Sequence, residues 1–396
     1  MKHQYRTENF FKRNLQRFVD FFVDLYAKFF IRCDGDREIP VPKNILFVSL
    51  AHLGDALIGS YVFPILKERF PNAQIDVLAG EWCKPVFVNN SYVRNLIFFN
   101  HFRMNRSGIS FLKKIHIHLN TSRSALQAIR SVKYDLSIEG RISHPNGNLI
   151  TYRGKVGRRI GFGSGGFGSL LTDEVPLPSK KNFHILDALL EELKLIEINK
   201  TVNDIKPYFN LSKQSIQNNN QIADDLRMPF IIIHVETGKD YLPERLINES
   251  FWIEIVRIIL RETAVNVIVC GTTKKSTELF NSLRLNLGDA NGRITNLVNK
   301  LSLDEFFLLN GQAIAAITVD SLAAHFCSIN CRTISFYKNG FGILFFPISN
   351  EQSLVIHNHI PSKSISVHAN TISYFVNEVE SEQSLAFFHE TIKKIV

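Results

Sequence analysis

Residues 44–71 read N-I-L-F-V-S-L-A-H-L-G-D-A-L-I-G-S-Y-V-F-P-I-L-K-E-R-F-P. Asn44–Leu50 is an almost unbroken apolar run, too short for a globular helix, and predicts a strand buried on both faces. Ala51–Gly54 predicts a tight loop, in which Gly54 permits a left-handed turn. Asp55–Phe70 predicts a helix, closed by Pro71-Asn72. A buried strand feeding a helix through a short loop is the opening of a doubly wound α/β unit with a parallel sheet.

The rest of the chain repeats that unit. Strands are expected at Gln74–Leu78, Asn95–Phe99 and Asp135–Glu139, with helices around Trp82–Val88, Ser122–Val132 and Phe183–Leu195. Between them, residues 101–118 are basic and rich in His. A polar stretch at 197–228, with the run Asn218-Asn219-Asn220, reads as the hinge. A second alternating run follows: strands at Phe230–Val235, Val265–Cys270, Ile314–Val319 and Thr333–Tyr337, and helices at Glu249–Glu262, Ser276–Leu287 and Leu322–Ser328. Helices near Ile372–Val379 and Glu382–Ile395 close the chain. The expected organisation is an N-terminal amphipathic helix and linker (1–40), a first Rossmann-like domain (41–205), a hinge (206–228) and a second Rossmann-like domain with C-terminal helices (229–396). Two such halves take ligands at the carboxyl ends of their strands.

Phe11, Leu15, Phe18, Phe22, Leu25 and Phe29 recur every three or four residues and so share one helical face. Lys12, Arg13, Arg17, Asp20, Asp24 and Lys28 exclude a membrane-spanning reading. Such a stripe fits a helix lying in a membrane interface and, equally, one packed on the protein's own body. No run of ~20 apolar residues and no signal-peptide pattern is present. The net charge of +9 favours an anionic partner without choosing which. The basic residues are dispersed and no recognition-helix pattern occurs, so nucleic acid is not the expected partner. Cys33, Cys83, Cys270, Cys327 and Cys331 form no C-x-x-C and no zinc spacing, which predicts reduced thiols and no metal site.

Three strand-to-helix junctions carry groups able to do chemistry. In Ser49–Asp55, Asp55 reads by spacing more often as a helix N-cap, and alternatively as a carboxylate presented to the ligand. In Thr318–His325, Asp320 is a candidate cap, while the backbone N–H groups of Ser321, Leu322 and Ala323 could hold a diphosphate, with His325 one turn on. In His234–Lys239 a polar, Gly-containing loop carries Thr237, with Arg245 further along the same connection. Gly161–Gly166 fits G-x-G-x-x-G but follows no first strand of a βαβ unit. It reads as a mobile loop rather than a dinucleotide fingerprint.

Taken together, these pieces resemble glycosyltransferase family 9, the ADP-heptose:lipopolysaccharide heptosyltransferases. The carriers are Ile45–Asp55 with its L-G-D turn, Arg69-Phe70-Pro71, Tyr134-Asp135-Leu136, Arg159-Ile160-Gly161-Phe162 and Asp320-Ser321-x-x-x-His325, from about residue 44 to 340. The resemblance implies a GT-B fold, two Rossmann-like domains facing each other across a cleft, acceptor on the first and nucleotide sugar on the second. It implies inverting, metal-independent transfer of heptose from an ADP-sugar to a lipopolysaccharide inner-core acceptor, with no cofactor, by a cytoplasmic enzyme peripheral on the inner membrane. Carried over by position, Asp55 is the base, next to Gly54 of the acceptor-side loop. Thr237, Arg245, Asp320, Ser321, Leu322 and His325 serve the donor. Leu322 stands where the family has Gly, Tyr61 where it has Pro, and His234-Val235-Glu236-Thr237 replaces H-P-G-A. These departures leave two alternatives open: another sugar nucleotide or acceptor, or a catalytically silent nucleotide-binding or membrane-docking protein.

Overall fold

The computed structural model describes residues 10–30, 41–142, 145–178, 183–217, 226, 229–237, 245–288, 292–338, 344–358 and 368–395. Two compact units divide the chain, residues 1–205 and 206–396. Cys33, Pro40 and the run Asn218–Asn220 lie outside the described residues.

The first unit opens with helix α1 (Phe10–Phe30). Its sheet has six parallel strands: β1 (Asn44–Ser49), β2 (Gln74–Ala79), β3 (Val93–Phe98), β4 (Leu136–Glu139), β5 (Arg158–Gly161) and β6 (Asp173–Glu174). Their order is β3-β2-β1-β4-β5-β6. Helices α2 (Leu53–Ser60), α3 (Phe63–Arg69), α4 (Lys84–Phe87), α5 (Phe111–Val132), α6 (Pro145–Arg153) and α7 (Ile185–Lys194) connect them. Leu46 and Val48 of β1 pack into one core with Leu78, Ala125, Ile129 and Ile150. On β1, Phe47 meets Phe63 edge to face at 4.9 Å. Both faces of the strand are therefore covered, which is why Asn44–Leu50 is apolar without alternation.

In the second unit, α8 (Lys213–Gln217) precedes β7 (Phe230–His234). There follow α9 (Glu249–Glu262), β8 (Asn266–Gly271), α10 (Lys274–Leu287), β9 (Ile294–Val298), α11 (Leu303–Asn310), β10 (Ala315–Val319), α12 (Leu322–Asn330), β11 (Arg332–Tyr337), β12 (Ser353–His357), β13 (Thr371–Phe375) and α13 (Glu382–Ile395). All strands are parallel, in the order β13-β12-β11-β10-β7-β8-β9. Its core is aliphatic and aromatic, with Ile231 and Ile233 of β7 and Ile317 and Val319 of β10 against Trp252, Val256 and Phe336.

Each sheet runs outward in both directions from its first strand. The direction of winding reverses between β1 and β4 in the first unit and between β7 and β10 in the second. At such a reversal the following loops diverge and leave a crevice at the carboxyl edge, where open α/β sheets take their ligands.

Several expectations are corrected. Ile372–Val379 is not a helix: Thr371–Phe375 is the edge strand β13, with Ile372 turned to solvent. Asp55–Phe70 is two helices, because the chain turns at Tyr61 and Val62 before α3 begins. The helix expected around Ser122–Val132 starts earlier, at Phe111 within the His-rich stretch, where the Ser110 hydroxyl accepts from the Lys113 amide at 3.4 Å. Gly54 makes no left-handed turn. It sits inside the first turn of α2 and takes no positive φ. The stretch 161–166 is not a free loop. It is buried, and the Asn148 side-chain amide donates to the carbonyls of Phe162 and Gly166 at 3.1 and 3.2 Å.

Candidate functional site

Asp55 stands in the first turn of α2, three residues after the N-cap His52, at the carboxyl end of β1. The helix start places it in the favourable field of the unpaired amides. His52 is half-buried, and its Nε2 lies 2.9 Å from an Arg106 guanidinium nitrogen, which can only donate. Burial, then the charges of Arg106 and Arg141, pull the imidazole down to about 3. His52 is thus neutral near pH 7, and too weak a base to compete with a carboxylate. Arg141, just beyond β4, donates to the Leu50 carbonyl at 3.1 Å. Trp82 Nε1 donates to the Ala51 carbonyl at 2.7 Å, and the Cys83 thiol reaches the same oxygen at 3.4 Å. Burial and the Asp55 charge push the Cys83 thiol up, against Arg141. The first switch point therefore assembles one carboxylate, a neutral imidazole and two guanidinium groups. Such a set is chemically able to take a proton from a hydroxyl and to hold an anion nearby.

At the second switch point a cavity of about 260 Å³ opens between the ends of β7, β8 and β10. Leu297, Leu301, Leu303 and Phe306 line it with apolar surface; His234, Glu236 and Ser321 supply polar groups. Ser321 is the N-cap of α12 but its side chain caps nothing. Its hydroxyl is buried without a hydrogen-bond partner, as are His234 Nδ1, Thr237 Oγ1 and Thr273 Oγ1. Buried polar atoms left unpaired are costly, so four of them around one set of strand ends mark a place for a polar ligand. Leu322 opens α12 with no positive φ and also lines the cavity. The helix start thus keeps its amides although Leu replaces Gly.

Asp320 is buried and pairs with Arg245, whose guanidinium nitrogen lies 2.9 Å from a carboxylate oxygen. Tyr337, at the end of β11, is fully buried. Burial and the Asp320 charge drive its phenol up, against Arg245. His325 is buried within α12, one turn from the helix start. Gly238 and Lys239 lie outside the described residues.

Glu236 fixes the floor of this site. Its Oε1 accepts from the amides of Thr272 and Thr273 and from the Ser276 hydroxyl, each at 2.6 Å. Burial raises its pKa, but His234 and these donors outweigh burial and hold the carboxyl below its ordinary value. Burial lowers the His234 imidazole. Room for the carboxylate comes from Gly271, at φ +151°, where a Cβ would lie 2.2 Å from Glu236 Oε1.

The structure thus gathers Ser321, Leu322 and Thr237 at one set of strand ends and ties Arg245 to Asp320. Asp55 and Gly54 stand in the other unit. Sequence reasoning assigned no role to His234, Glu236, Tyr337, Arg106 or Arg141. Polar residues at and just past the end of a buried strand were the available signal for the first two. The arginines reach the loop before Asp55 only through tertiary packing, Arg106 at His52 and Arg141 at the Leu50 carbonyl. Among the described residues no cluster of three or more His, Cys, Asp or Glu could hold a metal.

Residues 122–372 match glycosyltransferase family 9 (heptosyltransferase). The donor-side residues fall within this span, and Asp55 precedes it. A stretch of 54 residues is 37% identical to lipooligosaccharide heptosyltransferase 2 of Haemophilus influenzae, covering 14% of this chain and 16% of that relative. Among solved structures, E. coli ADP-heptose lipopolysaccharide heptosyltransferase II aligns over 89% of this chain and 98% of its own, with TM-score 0.62 and 16% identity. The family 9 glycosyl transferase from Veillonella parvula gives 89% and 98%, TM-score 0.69 and 14% identity. E. coli heptosyltransferase WaaC with ADP gives 89% and 100%, TM-score 0.61 and 13% identity. At these identities the likeness speaks for a shared GT-B-like fold.

Proposed function

The chain belongs to glycosyltransferase family 9, and from that premise we propose that it is an inverting, metal-independent glycosyltransferase moving heptose from ADP-heptose to a lipopolysaccharide inner-core acceptor. It needs no cofactor, and it works from the cytoplasm against the inner-membrane surface. One observation carries the donor side: unpaired buried His234 Nδ1 and Ser321 Oγ line a largely apolar cavity at the β7/β10 switch point. The apolar wall suits a nucleobase, and the α12 amides suit a diphosphate. E. coli WaaC, solved with ADP, favours the same donor class.

The geometry of each unit supports the following roles. Asp55 takes the proton of the attacking acceptor hydroxyl. Arg106 and Arg141 hold an anionic group of the acceptor beside it. As the bond from the anomeric carbon to the departing phosphate breaks, negative charge grows on that phosphate. The amides of Ser321, Leu322 and Ala323, with Arg245, stabilise it. Asp320 holds Arg245 in place, and Glu236 keeps the cavity floor rigid. A second reading, transfer from a different sugar nucleotide, is favoured by Leu322 lining the cavity where the family has Gly.

Titration calorimetry of ADP against Ser321→Asp tests the donor site. A carboxylate at the N-cap facing the phosphates should weaken ADP binding by roughly tenfold or more. Unchanged affinity in a folded variant would place the nucleotide elsewhere.

A further inference from the structure

Helix α1 is docked with the wrong face inward for a core helix. Gln16, Asp20, Asp24 and Ala27 follow the helical period and make one row. That row faces the body of the first unit. Asp20 is 3% exposed, and its Oδ1 accepts from the Phe167 amide at 2.8 Å. The Ser169 hydroxyl donates to Asp24, and the Gln16 side-chain amide donates to the Gly165 carbonyl at 3.1 Å. Tyr26 and Tyr152 join hydroxyl to hydroxyl at 3.0 Å. The opposite face is uncovered: Phe10, Phe11, Phe18, Phe21, Phe22 and Phe29 are 54–76% exposed. At about 200 Å² per ring, these six alone expose on the order of 800 Å², more than the largest apolar patch of a typical monomer.

We propose that α1 is a membrane-docking helix that lies in the headgroup region of an anionic bilayer, phenylalanines inserted, with the first unit fixed to its polar edge. Charge decides the occupant. Both acids of the helix are turned into the protein, whereas Arg17 and Lys28 are exposed. A second copy pressed on the same face would be related by a twofold axis, bringing like charges together. A lipid surface carrying phosphate charge complements both cations while taking up the rings. At 21 residues the helix is about 32 Å long, a docking ridge rather than a point anchor. No helix among the described residues is long and apolar enough to cross a membrane.

Gln16 and the two acids grip residues 165–169, in the segment leaving the carboxyl end of β5, the edge that also carries Asp55. Docking through α1 therefore fixes how that edge is presented to the lipid surface. This deepens the proposed membrane setting, and its failure is separable from failure of the donor assignment, because ADP binding is measured in solution.

The test is co-sedimentation of the full chain with phosphatidylglycerol/phosphatidylethanolamine vesicles and with phosphatidylcholine vesicles, alongside sedimentation equilibrium without lipid. Binding to the anionic vesicles should fall at least tenfold in Phe18→Ser/Phe22→Ser, with circular dichroism and ADP affinity unchanged. Arg17→Gln/Lys28→Gln should lose about fivefold per cation on the anionic vesicles and little on phosphatidylcholine. The proposal is overturned if the parent stays in the supernatant with anionic vesicles. It is equally overturned if the Phe variant still binds vesicles but turns a dimer into a monomer, which would assign the face to a second copy.

Discussion

Replacing Gly271 by alanine should unfold the donor side. The added Cβ would stand 2.2 Å from both Glu236 Oε1 and Ser276 Oγ, so the carboxylate must move. Oε1 currently accepts three bonds of 2.6 Å, two of them from the amides that lead into α10. Hydrogen bonds to a charged group contribute about 1.5–3 kcal/mol each, so losing two costs roughly 3–6 kcal/mol. The backbone adds strain, because φ +151° is a region that residues with a side chain rarely enter, at about 1–3 kcal/mol. The variant should therefore lose at least about 4 kcal/mol, a large part of the ~5–15 kcal/mol that holds a domain together. Trp82 and Trp252 are the only tryptophans, and Trp252 is buried in the second unit. In a Trp82→Phe background, guanidinium unfolding followed by Trp252 emission reads this unit alone. A loss below about 1 kcal/mol with parental ADP affinity would refute the reasoning: the Glu236 carboxylate would not be pinned where the structure puts it.

Two further outcomes concern pH. Burial holds His357 at about 4, against 6.5 unfolded, so its contribution is full above 6.5 and is lost as pH falls towards 4. Up to about 2 kcal/mol should be gone at pH 5, and His357→Gln should flatten the fall in urea midpoint between pH 7 and 5; an equally steep fall would contradict this. Glu192 behaves oppositely: burial and the neighbouring Glu139 raise its pKa well above 4.5, so the fold loses stability as pH rises above that value. Glu192→Gln keeps an oxygen to accept from the Glu139 amide, now at 3.0 Å. It should raise Tm by a few degrees at pH 8, and a lower Tm would count against the protonated carboxyl.

The sequence exposed those parts of the fold whose burial is two-sided. β1, β7 and β10 are short apolar runs with a polar residue at or just past the end, and nothing but a central strand suits such a run. Edge elements were misread for a physical reason. Ile372, Phe375, Val376 and Val379 are spaced like one helical face, yet Ile372 is exposed and only Val376 and Val379 are buried, beyond the end of β13. In α5 only Ala125 and Ile129 are buried, and the apolar residues of its first turns, Phe111, Leu112 and Leu119, face solvent, so no core contact marks where the helix starts. For α1 the period was plain but the docked face was not. Local sequence cannot show that Asp20 finds an amide at Phe167. The same limit hid Arg106 and Arg141, whose contacts with His52 and the Leu50 carbonyl depend on the β3–α5 and β4–α6 connections folding back to the end of β1.

The central claim is that Asp55 is the base of a transfer from ADP-heptose. Its most direct test is the steady-state rate of heptose transfer to a Kdo-lipid A-type acceptor by Asp55→Asn, with ADP affinity measured on the same sample. Asparagine keeps the size and the place in the first turn of α2 but cannot take the proton. Turnover should fall by roughly 100-fold or more while ADP binds as it does to the parent. Near-parental turnover with intact ADP binding would contradict the account and remove Asp55 from the chemistry.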